Sequence, residues 1–260
     1  MMTQQYELST SELVKLLGDN NTKVIDVRSV EAYNGWKLNG ESRGGHIKGA
    51  KSLPEKWLKY MDWIEIVHSK SILPQHKIVV YGYSRKAVEK TARQFQKAGY
   101  PDVSLYLHFT DEWIPDSSLP MEYLPRYSHL VSAEWVKTLL SGNTPQEYDN
   151  DKFVVVHAHY RNRDAYLSGH IPGAIDMDTL ALEAPETWNR RPPEELRAAL
   201  EQHGITADTT VVLYGKFMHP DNANDFPGSA AGHIGAIRNA FIMLYAGVKD
   251  VRVLNGGFQS

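Results

Sequence analysis

Two stretches of this sequence, VIDVRSVEAYNGW…RGGHIKGA from Val24 to Ala50 and VVVHAHYRNRDAYLSGHIPGA from Val154 to Ala174, decide its fold. Each runs from an apolar strand through a polar turn and an Ala-Tyr pair to Gly-His-Ile-x-Gly-Ala. Further along, KIVVYG at 77–82 is matched in the same way by TVVLYG at 210–215. Because the features come in the same order in both halves, the sequence predicts a duplicated domain.

The spacing of the matched features also predicts where the copies differ. The Gly-His-Ile motifs start 124 residues apart, the Tyr-Gly strand ends lie 133 apart, and two Ala-Gly helix ends lie 148 apart. A growing offset indicates insertions in the second copy, chiefly between His219 and Gly235.

Within each copy, short apolar runs alternate with helical patterns. Ile78 to Tyr81 is a β-branched run typical of a buried parallel strand, and Arg85 to Ala98 has an apolar helical stripe that ends at Gly99. The further predicted helices are Thr10 to Leu17, Ser132 to Leu140, Pro193 to His203 and Ile237 to Ala246. The pattern predicts two α/β domains, 1–120 and 126–260, each a doubly wound parallel sheet flanked by helices, with a Pro-rich linker at Asp116 to Pro125.

Composition excludes several classes of function. The chain has 260 residues, a net charge of −3 and no cysteine. The charge gives no reason to expect binding to nucleic acid, and the short apolar stretches give none to expect a membrane span. Without cysteine there is no disulfide, zinc–thiolate site, iron–sulfur cluster or thiol nucleophile, and we expect no cofactor.

The compartment stays open at this stage. The first residues, MMTQQYELST, contain no apolar secretory segment, which favours the cytoplasm. A removed signal would leave no trace, and a chain without thiols tolerates oxidising surroundings, so the periplasm is the alternative.

These motifs resemble those of the rhodanese superfamily, and most closely those of its three-domain thiosulfate sulfurtransferases. The resemblance covers nearly the whole chain, twice, and rests on the strand end Asp26-Val-Arg28, the Gly-His-Ile motifs and the strand-loop-helix units after Tyr81 and Tyr214. It implies sulfur transfer through a persulfide on a cysteine that follows a central strand.

The chain departs from that family at the decisive position. The residues that match the family cysteine are Gly82 and Gly215, so we expect no catalytic residue here. Ser84 cannot replace a thiol, because a hydroxyl does not accept a sulfane sulfur and does not ionise near neutral pH without a dedicated base.

Two hypotheses about function follow from the missing thiol. In the first, the chain is the non-catalytic double domain of a sulfurtransferase and supports a cysteine-bearing rhodanese domain, supplied downstream or by a separate chain. The sequence stops at Asn255-Gly-Gly-Phe-Gln-Ser260, where the family continues into a helix, which favours a downstream domain. In the second, the chain is a stand-alone inactive module that binds anions or proteins.

Four groups of residues are candidates for ligand binding. The loop Gly82, Tyr83, Ser84, Arg85, Lys86 and Ala87 opens a helix, and its amides predict weak binding of thiosulfate or sulfate, helped by positive φ at Gly82. The possible crevice residues are Asp26 and Arg28 at one strand end, and His157 and His159 at the end of the matching strand in the second copy. For the histidines, a ring that is hydrogen-bonded to backbone is favoured. His46 and His170 are predicted to fix their turns by hydrogen bonds. His219, Asp221, Asp225 and His233 offer metal-ligating groups, but in no known ligand spacing, so a metal is not favoured.

Overall fold

The computed structural model describes residues 6–216 and 232–259, which form two compact units divided between Tyr127 and Ser128. Each unit is built on one five-stranded sheet whose strand pairs are all parallel. The predicted fold class, two tandem α/β domains with parallel sheets, is confirmed.

The first domain has the strand order β1-β6-β5-β2-β4 in its sheet. A short antiparallel pair, β3 with β7, lies beside it. Its strands are β1 (Tyr6–Leu8), β2 (Thr22–Asp26), β3 (His46–Ile47), β4 (Lys51–Ser52), β5 (Lys77–Tyr81), β6 (Val103–Tyr106) and β7 (Met121–Glu122). Its helices are α1 (Thr10–Leu16), α2 (Val30–Asn34), α3 (Trp63–Ser69) and α4 (Arg85–Lys97).

The second domain repeats this plan, with the order β10-β9-β13-β14-β8. Its strands are β8 (Leu130–Val131), β9 (Phe153–His159), β10 (Ile175–Asp178), β11 (Glu183–Ala184), β12 (Asn189–Arg190), β13 (Thr210–Gly215) and β14 (Asp250–Leu254). Its helices are α5 (Ala133–Leu140), α6 (Arg163–Leu167), α7 (Pro193–Gln202) and α8 (Gly232–Tyr245). If β8, β9, β10, β13 and β14 are matched to β1, β2, β4, β5 and β6, the two sheet orders are the same. The topology is therefore duplicated.

Each sheet has a core built by the apolar face of a helix. In the first domain, Val88, Ala92 and Phe95 of α4 are fully buried against residues of the central strands, such as Ile78 and Val80. The spacing of four and three residues places these side chains on one face of the helix. As predicted, the helix is terminated at Gly99, whose φ of 90° is open to a residue without Cβ.

The Pro-rich segment predicted as a linker is part of the first domain's fold. Met121–Glu122 pairs antiparallel with His46–Ile47, and the amide of Leu124 donates to the carbonyl of Asn34 at 2.8 Å. The edge of β3 offers unpaired backbone groups, which this segment satisfies. No helix among the described residues is long and apolar enough to cross a bilayer.

Candidate functional site

The first position that matches the family cysteine lies between β5 and α4. Only two residues separate Gly82 from the helix, and the second, Ser84, is its N-cap, whose hydroxyl accepts a hydrogen bond from the amide of Ala87 at 3.2 Å. A Cβ placed on Gly82 would lie 2.6 Å from Cγ2 of Val27, well inside van der Waals contact. The site therefore has no space for a cysteine side chain unless Val27 moves.

The loop after β5 differs from the predicted oxyanion cradle. Gly82 has no positive φ, so the prediction that it curls the backbone into a nest is wrong: the strand runs almost directly into the helix cap. The guanidinium of Arg85 lies 3.1 Å from a carboxylate oxygen of Glu7 and 3.7 Å from one of Glu89. Oxyanion binding by residues 82–87 stays a prediction, with fewer free donors than the sequence suggested.

The crevice beside Gly82 is occupied by the buried side chain of Arg28. Its guanidinium donates to both carboxylate oxygens of Asp26, at 2.7 Å from Nη2 and 3.1 Å from Nε. The remaining donors reach the carbonyl of Gly45 at 2.6 Å, and Glu41 and the Tyr83 hydroxyl at 3.4 Å each. Burial, the largest single cause, would lower the pKa of Arg28, but the charge and hydrogen bonds of Asp26, together with Tyr81 and Tyr83, outweigh it and hold that pKa above its ordinary value.

Aromatic rings complete this network. The Cζ atom of Arg28 lies 4.3 Å from the ring centroid of Phe109 and 5.1 Å from that of Tyr83. The Tyr81 hydroxyl donates to Asp26 at 2.7 Å and accepts from the amide of Ile47 at 3.1 Å. Asp26 and Arg28 lie together at this edge, and their polar groups are used by each other and by the surrounding chain, so a role for them in a ligand crevice stays a prediction.

The second matching position is closed by backbone. A Cβ on Gly215 would lie 2.0 Å from the carbonyl carbon and oxygen of Gly232, where α8 begins. A Cβ on Gly257 would in turn lie 2.6 Å from the carbonyl oxygen of Gly215, so three glycines approach one another closely. This position cannot carry any side chain unless the start of α8 shifts.

His157 and His159 stand where the first domain has Asp26 and Arg28. The register of β9 with β13 places His157 beside Tyr214, and their ring centroids are 4.8 Å apart. His157 is fully buried, and within the described chain neither of its ring nitrogens has a hydrogen-bond partner. Burial, reinforced by the adjacent His159, lowers the pKa of His157 to about 4, so the ring is neutral near pH 7.

His159 is held more firmly. Its Nε2 lies 2.6 Å from Oδ1 of Asp176, and its Nδ1 accepts from the amide of Asn162 at 3.3 Å. The favoured interpretation, that these histidines are satisfied by backbone, holds for one nitrogen of His159 and is wrong for His157. The two side chains lie two residues apart on one face of the strand but have different neighbours. His159 reaches Asp176 and the amide of Asn162, whereas His157 packs between the rings of Tyr166 and Tyr214.

The two Gly-His-Ile motifs are built alike, as predicted. The Nδ1 atom of His46 lies 2.7 Å from the carbonyl oxygen of Tyr33, and its ring stacks on the Tyr33 ring at 3.7 Å. His170 repeats both contacts with Tyr166, at 3.0 Å and 3.9 Å. These histidines are therefore structural groups that close the turn after β2 and after β9.

Most of the metal candidates fall outside the residues that the structure describes. His219, Asp221 and Asp225 belong to residues 217–231, and His233 lies on the first turn of α8, where it lines a cavity of about 350 Å³ together with Gly215. Among the described residues, one other group brings three possible ligands within 4.8 Å of one another: His108, Asp111 and Glu112. Nothing in the sequence marks this group, because positions i, i+3 and i+4 are the ordinary spacing of neighbours on one exposed helical turn.

A family model described as Rhodanese-like domain matches this chain twice, at residues 9–116 and 132–260. The chain belongs to the rhodanese family. The thiosulfate sulfurtransferase YnjE of Escherichia coli K12 is 35% identical over 262 residues, an alignment that covers 98% of this chain and 54% of YnjE. The sulfur carrier protein TtuD of Thermus thermophilus is 32% identical over 51% of the chain and 40% of its own length.

Solved structures of rhodanese-family enzymes are more similar still. The anaerobic ergothioneine biosynthesis enzyme from Chlorobium limicola, in complex with its natural substrate trimethyl histidine, is 64% identical, with a TM-score of 0.90 over 98% of this chain and 60% of that one. A variant of EanB with ergothioneine covalently linked to a persulfide cysteine is also 64% identical, with a TM-score of 0.91. The chain thus spans 54% of the length of YnjE and 60% of that of the Chlorobium limicola enzyme.

Proposed function

We propose that these two rhodanese domains form the non-catalytic part of a sulfur-transfer enzyme whose thiol lies on a further rhodanese domain. The observation that carries this proposal is the closure of both cysteine positions. Gly82 is packed against a methyl group of Val27 and Gly215 against the backbone of Gly232, so each site lacks the thiol, and neither has room for one unless its neighbour shifts. Sulfane sulfur needs a thiolate to carry it, and this chain has no cysteine at all.

The similarity to longer enzymes supports this division of labour. Nearly all of this chain aligns with 54 to 60% of each, and one of them carries a persulfide cysteine. In the proposed cycle, a cysteine persulfide on the further domain gives its outer sulfur to an acceptor, and the thiol is regenerated. The 64% identity favours trimethyl histidine as that acceptor, with ergothioneine as the product.

The test compares the 260-residue chain with a joined protein, in which this chain continues into the remaining part of the Chlorobium limicola enzyme. Ergothioneine formed from trimethyl histidine and polysulfide is measured by mass spectrometry, and thiocyanate formed from thiosulfate and cyanide by absorbance. We expect no turnover by the 260-residue chain above a heat-treated sample and clear turnover by the joined protein.

Two controls sharpen the comparison. Replacing the persulfide cysteine of the joined protein by serine removes turnover if that thiol is the carrier. The remaining part is also assayed by itself. If it is as fast as the joined protein, or if the 260-residue chain turns over without it, the supporting role is wrong. Turnover of neither substrate by the joined protein would favour a stand-alone inactive module.

A further inference from the structure

The outer faces of two matching helices differ in a way that the fold does not require. Each of α4 and α8 follows the central strand of its sheet and buries one face against the core. The outer face of α4 is charged, as on an ordinary solvated helix. Its exposed residues there are Arg85, Lys86, Lys90, Arg93 and Lys97.

The outer face of α8 is apolar. Ile234, Ile237, Phe241, Leu244 and Tyr245 form one stripe along it, which we call the α8 stripe. Their spacing of three or four residues places the first four on one side of the helix. Phe241 is 69% exposed, and Ile234 50%. The helix GHIGAIRNAFIMLY contains one Lys or Arg and no Asp or Glu, and that Arg238 donates to the carboxylate of Glu183 at 2.7 Å.

A helix whose inner and outer sides are both largely apolar is normally covered on both of them. Isolated exposed apolar residues need no explanation, but five on one helix form a continuous patch, and such patches mark interaction surfaces. The other exposed apolar residues of the second domain in its described part, such as Leu140, Phe153 and Leu167, lie on separate elements.

The α8 stripe begins at the carboxyl edge of the sheet, beside the glycine that matches the family cysteine. Ile237 lines the cavity of about 350 Å³ there, together with Gly215 and the residues 255–257 that follow β14. In the proposed longer protein, polypeptide that continued past this turn would leave the domain next to the start of the stripe. The place is therefore suited to a domain tethered at that point.

We infer that the α8 stripe is the surface on which a thiol-bearing rhodanese domain docks in cis. This inference rests on the proposed function and adds the surface that joins the two parts. A 14-residue helix is about 20 Å long and 10 Å wide, so one side of it offers roughly 200 to 400 Å². A stable complex between separate chains buries about 800 Å² on each partner.

The small area of the α8 stripe favours a tethered domain over a second copy of this chain. Two copies of this chain meeting at the stripe alone would bury too little area for a stable dimer. A tethered domain does not face this limit, because a short linker holds it at an effective concentration in the millimolar range. The bound aromatic and branched side chains then act as a hydrophobic anchor whose polar surround is contributed by both domains.

Hydrogen exchange tests the inference on the joined protein described above. We expect exchange in peptides covering 237–245 to be about tenfold slower in the joined protein than in the 260-residue chain. Phe241→Glu abolishes this difference, and Phe241→Leu retains most of it. Leu167→Glu, at a residue that is 62% exposed on α6, is the matched control and leaves the difference unchanged.

Because Phe241 is exposed, Phe241→Glu is compatible with the fold, which the unchanged near-ultraviolet circular dichroism of the 260-residue chain checks. Equal exchange in the two proteins would overturn the inference. So would a dimer of the 260-residue chain in sedimentation that Phe241→Glu dissociates, because the occupant would then be a second copy. Active joined protein with unprotected α8 refutes the docking surface alone, whereas protected α8 without turnover refutes the proposed function alone.

Discussion

The two domains share a topology but differ in the polar residues buried at the carboxyl end of their central strands. At the edge where β2 meets β5, the first domain holds a buried ion pair, Asp26 with Arg28, in a network of hydrogen bonds. At the matching edge, the second domain holds His157, a buried neutral ring without a hydrogen-bond partner in the described chain. The stacked His-Tyr pair of each Gly-His-Ile motif is the same in both.

One hydrogen bond is present in both domains and is therefore required by the fold. The Tyr81 and Tyr214 hydroxyls both accept a hydrogen bond from the isoleucine amide of their Gly-His-Ile motif, at 3.1 and 2.9 Å. These contacts fix the crossover loop, and so they recur. The charge at the edge does not recur: in the first domain the buried charges of Asp26 and Arg28 compensate each other, whereas the second domain has the neutral ring of His157 there.

We expect the largest difference in stability between the two domains when the buried ion pair of Asp26 and Arg28 is broken. Asp26→Ala leaves the Arg28 guanidinium buried without its main counter-charge, which lowers the free energy of unfolding of the first domain by about 3–5 kcal/mol. Asp176→Ala, at a side chain 25% exposed beside His159, costs the second domain less than about 1 kcal/mol. Urea unfolding followed by hydrogen exchange in peptides of each domain measures both.

Asp26→Asn is the intermediate case, since an amide keeps one acceptor for Arg28 and loses the charge. We expect its cost to lie between those of the two alanine variants. Equal costs for Asp26→Ala and Asp176→Ala would mean that the fully buried pair is no more important to stability than the partly exposed pair of His159 and Asp176.

The glycines that replace the family cysteine also differ. Gly215→Ala forces a Cβ against the backbone of Gly232, whereas Gly82→Ala meets a methyl group of Val27, which can rotate or shift. We expect a loss of about 3 kcal/mol for Gly215→Ala and of about 1 kcal/mol for Gly82→Ala. Thermal unfolding of the two variants is the measurement, and a larger loss at Gly82 would contradict it.

Val27→Ala combined with Gly82→Ala is the matched control. It removes the methyl group that the new Cβ meets, so the double variant should lose less than the sum of the two single variants. No single side-chain truncation can relieve Gly215→Ala in the same way, because its neighbour is backbone.

The third difference is a pH dependence of the second domain. The pKa of His157 is about 4 in the folded chain, below the ordinary value of about 6.5 that applies to the unfolded chain. Between these values the unfolded chain binds the extra proton, so stability falls as the pH is lowered from about 6.5 towards 4. The loss attributable to His157 is of the order of 2 kcal/mol.

His157→Phe keeps a ring between Tyr166 and Tyr214 and removes the titration. We expect its unfolding free energy to vary less between pH 7 and pH 4.5 than that of the unchanged chain, as measured by urea unfolding at several pH values. His68→Ala, at an exposed site on α3, serves as the control and keeps the full dependence. An unchanged slope in His157→Phe would assign the pH effect to other groups.

The sequence was sufficient for the repeat, for the strands β2, β5, β6, β9, β13 and β14, and for the long helix α4, because these follow from apolar patterns that are local. It missed the edge strands β1, β4, β8 and β10. It also missed α2, α3 and α6, which are 5, 7 and 5 residues long and therefore too short to show a repeated helical spacing of apolar residues. It placed the start of α8 at Ile237 rather than Gly232. Tertiary packing explains this: Gly235 lies against Thr179, which compensates for the poor helix propensity of glycine.

The site shows the same limit. Asp26 and Arg28 were recognisable as edge residues because they lie at the end of one strand, but Glu41 lies 13 residues beyond Arg28, and Phe109 opens a short helical segment after β6. Nothing local in their sequence marks them as partners of Arg28. The lack of space for a side chain at Gly215 could not be predicted from the sequence either, because it depends on where the backbone of α8 begins.

The smallest expected effect concerns oxyanion binding at the start of α4. With the Ala87 amide bound to Ser84, the first turn offers the amides of Arg85 and Lys86 to a ligand. Arg85 is shared with Glu7 and Glu89. We expect sulfate to bind with a dissociation constant in the millimolar range, on the order of 4 kcal/mol.

Glu7→Gln should strengthen binding severalfold by releasing Arg85, and Arg85→Ala should weaken it. Amide shifts of residues 82–87 in an NMR titration measure both, with sodium chloride at equal ionic strength as the control. Shifts that are unchanged by sulfate, or the same in all three proteins, would leave the loop as a helix start without a ligand.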